Sequence, residues 1–214
     1  PLSLRRQRQM CIRDRVSIDG RAVSGVQESV GYLFQQDALL PWKTAYQNVE
    51  LGLRFRGVPE AERKAKANAW LAKVGLAGFE HRYPHQLSGG QRKRVQMAQA
   101  LIVEPKVILM DEPFSALDIH TRHLMQNELL RLWQEDRRSV ILITHDLEEA
   151  IALGDRVVVL SSGPASRVVR SFDVDLERPR NVAEIKLDDR FTDLYRDIWA
   201  CLRGEVEKSY ARQD

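Results

Sequence analysis

Five short stretches of this chain carry side chains suited to a phosphate, a divalent cation or an attacking water. The apolar run Val107–Met110 closes on two adjacent carboxylates, Asp111 and Glu112. In open parallel sheets, function collects beyond the carboxyl ends of the strands. At such a place Asp111 can hold Mg²⁺, usually through water, and Glu112 can orient or deprotonate an attacking water. Leu87-Ser88-Gly89-Gly90-Gln91 sets paired glycines at a helix start. Glycines admit a ligand close to the backbone, and the N–H groups at a positive helix end favour a phosphate. The run Ile141-Leu142-Ile143 leads into Thr144-His145-Asp146, which puts His145 at a strand tip, within reach of a terminal phosphate. Ser115-Ala116-Leu117-Asp118 follows the carboxylate pair closely, and Gln35 ends the apolar run Val30–Phe34. A glutamine there reaches a metal or a water as a neutral donor and acceptor.

Each stretch also has a plain structural reading. Ser-Gly-Gly can be a loop, acids before a helix can be N-caps, and a strand-end histidine can be an ordinary surface residue. Taken singly, none decides.

The elements that must hold these groups are legible in outline. Val16–Ile18 with Asp19-Gly20 reads as a strand and a tight turn. Val30–Phe34 reads as a second strand. Pro59–Val74 is polar and Ala-rich with Trp70, Leu71 and Val74 on one side, which predicts a surface helix. Ser88 caps a helix to about Val103, ended by Pro105. Val107–Met110 and Val140–Thr144 are apolar runs suited to buried parallel strands. A helix from about Leu117 to Glu135, a short one over Leu147–Leu153 and a strand over Arg156–Leu160 complete the alternation, which indicates an α/β domain with a largely parallel sheet. Phe191, Leu194, Tyr195, Ile198, Trp199, Leu202 and Val206 recur at helical spacing, so the tail reads as an amphipathic helix.

Gln35, the LSGGQ run, the Asp-Glu strand, SALD and the Thr-His-Asp strand stand in one order, and together they resemble the ATP-binding-cassette ATPase family. The resemblance covers nearly all of residues 16–178. It implies a P-loop NTPase-like ABC ATPase core, α/β with a mainly parallel sheet, plus an inserted helical subdomain at about residues 37–104. Residues 179–214 are expected to form a C-terminal helical extension. The resemblance also implies roles: Gln35 as the Q-loop glutamine, Asp111 as the metal-side aspartate, Glu112 as the catalytic carboxylate, Asp118 as the D-loop aspartate and His145 as the switch histidine. Ser88, Gly89, Gly90 and Gln91 correspond to the signature that grips ATP bound to the opposite subunit. The implied cofactors are ATP and Mg²⁺. The implied partners are a second ATP-binding subunit in a homodimer, a transmembrane permease subunit and, indirectly, a substrate-binding protein, with the chain peripheral on the cytoplasmic face of the inner membrane.

One departure is serious. The family's phosphate loop, G-x-x-x-x-G-K-[ST], belongs upstream of Gln35, yet no glycine in the chain precedes a lysine. Val16–Gly20 resembles the family's strand after the phosphate-loop helix, so the first strands and the loop are expected to be missing and the fragment inactive alone. Within the family, FQQDALLPWKTAYQNVELGL and the Tyr195…Trp199…Leu202 helix resemble nitrate, sulfonate and taurine importers. Leu39, Leu40 and Trp42 are then expected at a docking surface for the membrane subunit. The alternatives are a non-transport ABC ATPase acting on DNA or ribosomes, and a non-catalytic ABC-like interaction protein. The first usually carries long coiled-coil insertions or two cassettes in one chain, neither of which appears in these 214 residues.

Composition excludes other classes. With 43% hydrophobic and 29% charged residues, the chain has a globular profile, and no apolar run approaches the roughly 20 residues of a membrane span. Two cysteines, Cys11 and Cys201, make no disulfide framework. A net charge of +3 invites a nucleic-acid reading, but residues 1–15 hold five Arg and one Asp. Their +4 leaves −1 for residues 16–214, so no basic stripe marks the domain. MCIRDR, within that segment, resembles translated sequencing-adapter sequence, so residues 1–15 are expected to be a non-native tail packing on nothing.

Overall fold

The computed structural model describes residues 16–161 and 166–210, without the side chains of 206 and 208–210; residues 1–15, on which the tail expectation falls, lie outside them. The chain opens with a hairpin, β1 (Ser17–Ile18) and β2 (Arg21–Ala22), joined by Asp19 and Gly20. Both turn residues have positive φ, 51° and 75°, the geometry that an Asp-Gly pair tolerates. β3 (Val30–Leu33) follows.

Everything between β3 and its sheet neighbour is helical or loop. Helices α1 (Ala45–Val49), α2 (Leu51–Phe55) and α3 (Glu60–Lys73) lead to α4 (Gly89–Leu101). The chain continues through β4 (Val107–Asp111), α5 (Ile119–Glu135), β5 (Ser139–Ile143), α6 (Leu147–Leu153), β6 (Arg156–Leu160), β7 (Val168–Asp173) and α7 (Asp189–Tyr210). α1 and α2 escape the sequence reading because each is a turn and a half with no full amphipathic period. A capping box between Thr44 and Gln47 starts α1. Leu39, expected at a docking surface, is instead 8% exposed and packs in the core beside Val49 and Leu53; Trp42, three residues on, is 70% exposed.

β3, β4 and β5 form a parallel sheet in that order, with Tyr32, Leu109 and Ile141 in one row and Leu33, Met110 and Leu142 in the next. One face packs on α4: Leu33, Ile108 and Met110 join Val95, Met97 and Ala98 in a single core. Close approach is built in at Gly31, where a Cβ would meet Pro105 Cγ at 2.9 Å and the Ala100 carbonyl at 3.0 Å.

Two expectations need correction. Val140–Thr144 reads in sequence as a buried strand, but Ile141 and Ile143 are 56% and 59% exposed. A parallel strand is buried only when helices cover both faces, and among the described residues nothing covers the face that carries Tyr32, Ile141 and Ile143. Arg156–Leu160 is a strand, but it pairs antiparallel with β7 in a separate sheet, so the parallel sheet is smaller than the β–α alternation implies. β6, β7, α6 and α7 share a second core around Ile151, Val159, Phe172 and Ile198. Among the described residues, no helix is long and apolar enough to cross a membrane.

Candidate functional site

Parallel pairing brings the chemistry together. Gln35 lies two residues beyond β3, Asp111 ends β4, and His145 lies two residues beyond β5, so all three leave the same end of one sheet. Gln35 Nε2 donates to Glu112 Oε2 at 2.9 Å, and the His145 imidazole meets Glu112 Oε1 through Nδ1 at 2.9 Å. One carboxylate therefore gathers the other two groups. Its backbone is held for the purpose: the Glu112 N–H donates to the Ile143 carbonyl at 2.8 Å, and Glu112 sits at φ 42°, a left-handed conformation that costs a non-glycine residue free energy. Ser115 Oγ donates to the Glu112 carbonyl at 3.0 Å and lies 3.5 Å from Gln35 Nε2.

His145 is 72% exposed on its side chain, and its pKa is raised above the ordinary histidine value by the hydrogen bond and charge of Glu112. Asp111 is half-buried, and no described group donates a hydrogen bond to its carboxylate. No cluster of three or more His, Cys, Asp or Glu side chains suited to a metal occurs among the described residues. A single carboxylate without donors, such as Asp111, can take a cation that keeps most of its waters, as Mg²⁺ does.

Ser88–Gln91 lies apart from this group and makes no hydrogen bond to Gln35, Glu112 or His145. Ser88 caps α4 in a reciprocal box: its Oγ accepts from the Gln91 N–H at 3.2 Å, and Gln91 Oε1 accepts from the Ser88 N–H at 2.9 Å. The N–H groups of Gly89 and Gly90 keep no acceptor among the described residues. The two glycines differ in surroundings. A Cβ on Gly89 has its nearest neighbours at 3.9 Å, whereas one on Gly90 would meet Thr121 Cγ2 at 2.9 Å.

Asp118 is an N-cap as the plain reading had it: it opens α5, accepts from the Thr121 N–H at 3.0 Å, and that bond holds its carboxyl below the usual range. The sequence reading missed the groups that tie these loops together. Arg122 donates to Asp146 Oδ2 at 3.2 Å and to the Leu117 carbonyl at 3.1 Å, linking the Ser115–Asp118 loop to the turn after His145. Buried Glu149 accepts from Gln126 at 2.8 Å, and burial pushes its carboxyl up. Position offered a signal: Arg122 stands one helical turn beyond Asp118, so it reaches back over the cap.

Comparison with known proteins finds relatives of one family. A family model described as ABC transporter matches residues 3–115. An ABC transporter ATP-binding protein of Methanocaldococcus jannaschii is 44% identical over 195 residues, 91% of this chain and 71% of its own length. A taurine import ATP-binding protein of Pseudomonas entomophila is 45% identical over 199 residues, covering 91% and 76%. A nitrate import ATP-binding protein of Synechocystis is 42% identical over 202 residues, covering 92% and 76%. Among solved structures, a dimeric ATP-binding cassette in a post-hydrolysis state with ADP and phosphate superposes with a TM-score of 0.63 at 30% identity, covering 83% of this chain and 84% of the other.

Proposed function

The chain belongs to the ABC transporter family of ATP-binding subunits, and from that premise we propose that it energises an importer of a small anion such as taurine, another sulfonate or nitrate. The observation that carries the reading of the site is the convergence of Gln35 and His145 on the two oxygens of Glu112 at the carboxyl end of the parallel sheet. When bound, ATP supplies the γ-phosphoryl group and Mg²⁺ offsets the charge that develops on it.

The chain's own groups act around that event. Glu112 accepts a proton from the attacking water on the oxygen that Gln35 releases, and Gln35 turns its amide to orient that water. His145 swings from Glu112 toward the terminal phosphate, and its exposure leaves it free to do so. Asp111 would hold the cation. Across the interface of a head-to-tail homodimer, the free N–H groups of Gly89 and Gly90 and the Ser88 hydroxyl meet the nucleotide of a second copy, a reading supported by the dimeric cassette of similar fold. Asp118 lies beside them at the same interface.

A transmembrane permease subunit is the other partner, docking on the loop that exposes Trp42, and a substrate-binding protein acts through it. The subunit sits peripherally on the cytoplasmic face of the membrane. The 214 residues hold no G-x-x-x-x-G-K-[ST] motif, so by themselves they bind ATP weakly. The test is Glu112→Gln in a full-length subunit that carries a phosphate loop: binding is retained and turnover falls roughly 10²–10⁴-fold. Near-parental hydrolysis by that variant would remove Glu112 from the role.

A further inference from the structure

The helix that starts at the Ser88–Gln91 turn also grips the segment that carries Gln35. Lys93 is 2% exposed, on the buried stripe of α4 one turn before Met97. Its ammonium donates to the carbonyl of Phe34 at 3.3 Å and lies 3.5 Å from that of Gln35. Gln96 Nε2 donates to the next carbonyl, Gln36, at 3.0 Å. Arg92 holds the Asp37 carboxylate at 2.6 Å and the Leu87 carbonyl at 2.7 Å. Three consecutive carbonyls and the carboxylate after them are thus fastened to one helix. Residues 34–40 are neither helix nor strand, so side chains must satisfy their backbone groups.

Stability alone does not account for this lysine. A buried ammonium whose partners are carbonyl dipoles loses more in desolvation than it recovers, and an apolar side chain of similar length fills such a slot more cheaply. Burial indeed pushes the Lys93 pKa down, with Asp37 the charge that opposes the shift. Gln96 Oε1 is buried beside it without a partner, a second cost at the same spot. What the arrangement secures is the position of Gln35 relative to α4.

We propose that Lys93 is a positioning residue for hydrolysis: it makes the helix whose N-terminus meets one nucleotide set the place of the glutamine that serves the other. This rests on the site reading above. The coupling would let engagement of Ser88, Gly89 and Gly90 by the second copy be felt at Gln35 without any change within the sheet.

The experiment uses a full-length subunit with a phosphate loop, assembled with its membrane subunits, and compares Lys93→Met, Lys93→Gln and Glu112→Gln. Lys93→Met is expected to melt at or above the parental temperature, to lose kcat by on the order of 10–100-fold, as misplacement of a positioned group does, and to keep its KM for ATP. Hydrogen exchange of the residue 33–38 amides should rise while that of α4 stays unchanged. Lys93→Gln retains an N–H donor and should recover most of the rate. Parental kcat in Lys93→Met, unchanged exchange at 33–38, or a fall in rate that tracks a fall in melting temperature each overturns the proposal. If Glu112→Gln hydrolyses normally, the site reading has failed; if it is dead while Lys93→Met is fully active, the coupling alone has failed.

Discussion

The glycine pair at the start of α4 should split under substitution. Gly89 and Gly90 share a sequence context, but a Cβ on Gly89 would have its nearest neighbours at 3.9 Å, ordinary van der Waals contact, whereas one on Gly90 would lie 2.9 Å from Thr121 Cγ2. That methyl belongs to a β-branched residue in the first turn of α5, whose N–H is tied to Asp118, so it cannot rotate away freely. Gly90→Ala must separate α4 from α5 by several tenths of an ångström, and such overpacking costs about 1–3 kcal/mol. Alanine returns up to about 1 kcal/mol of helix propensity, so the net loss is roughly 0.5–2 kcal/mol. For a chain of this size, that lowers the melting temperature by about 1–8 °C. Gly89→Ala meets no obstacle and gains a few tenths of a kcal/mol or more from propensity. The assay is thermal and urea unfolding of both variants beside the parent. ATP-dependent dimerisation of the full-length subunit, measured in parallel, should suffer in both, since either methyl crowds the free N–H groups. A Gly90→Ala protein as stable as the parent would refute the packing argument, and a destabilised Gly89→Ala protein would refute the strain-free contact at residue 89.

Other consequences are equally open to measurement. His145 should titrate by NMR above the ordinary histidine value and His123 below it, the first through Glu112 and the second through burial. Because the folded pKa of His145 is raised, the stabilisation from the Glu112 contact is fully present below the unfolded histidine pKa and is lost as pH rises through the higher folded value; Glu112→Gln should lower the His145 pKa toward the ordinary value. Ile143→Thr on the uncovered sheet face should change stability by less than about 0.5 kcal/mol in the 214-residue chain, whereas Ile108→Ala, 3% exposed on the other face, should cost about 2–5 kcal/mol; equal urea midpoints would mean that the two faces are covered alike. Trp42→Ala should leave the melting temperature and basal hydrolysis of the full-length subunit intact while substrate-dependent transport falls, and a joint loss of stability and transport would make Trp42 a core residue.

Local signals were enough for much of the sequence reading. Asp19-Gly20 specifies its own turn, Ser88 and Asp118 start helices because short polar side chains satisfy the first free N–H groups, and the run Val107–Met110 forms a strand. Spacing also put Gln35, Glu112 and His145 after three successive strands, and parallel pairing then obliges the three to meet. Other features have no local trace. Whether Ile141 is buried depends on what lies over its face. Leu39 and Trp42 are neighbours in sequence, yet one fills the core and the other faces solvent, because the loop turns between them. The grip of Lys93 on Phe34 and Gln35 joins positions 59 and 58 residues apart; a lysine in an apolar stripe announces that something must compensate its charge, but only packing decides which carbonyls do. The sequence by itself determined which chemistry the chain carries, since residue types and the period of apolar side chains are local properties. Tertiary structure alone decided which face is covered and which helix holds the glutamine, because burial and long-range hydrogen bonds exist only once distant segments share one core.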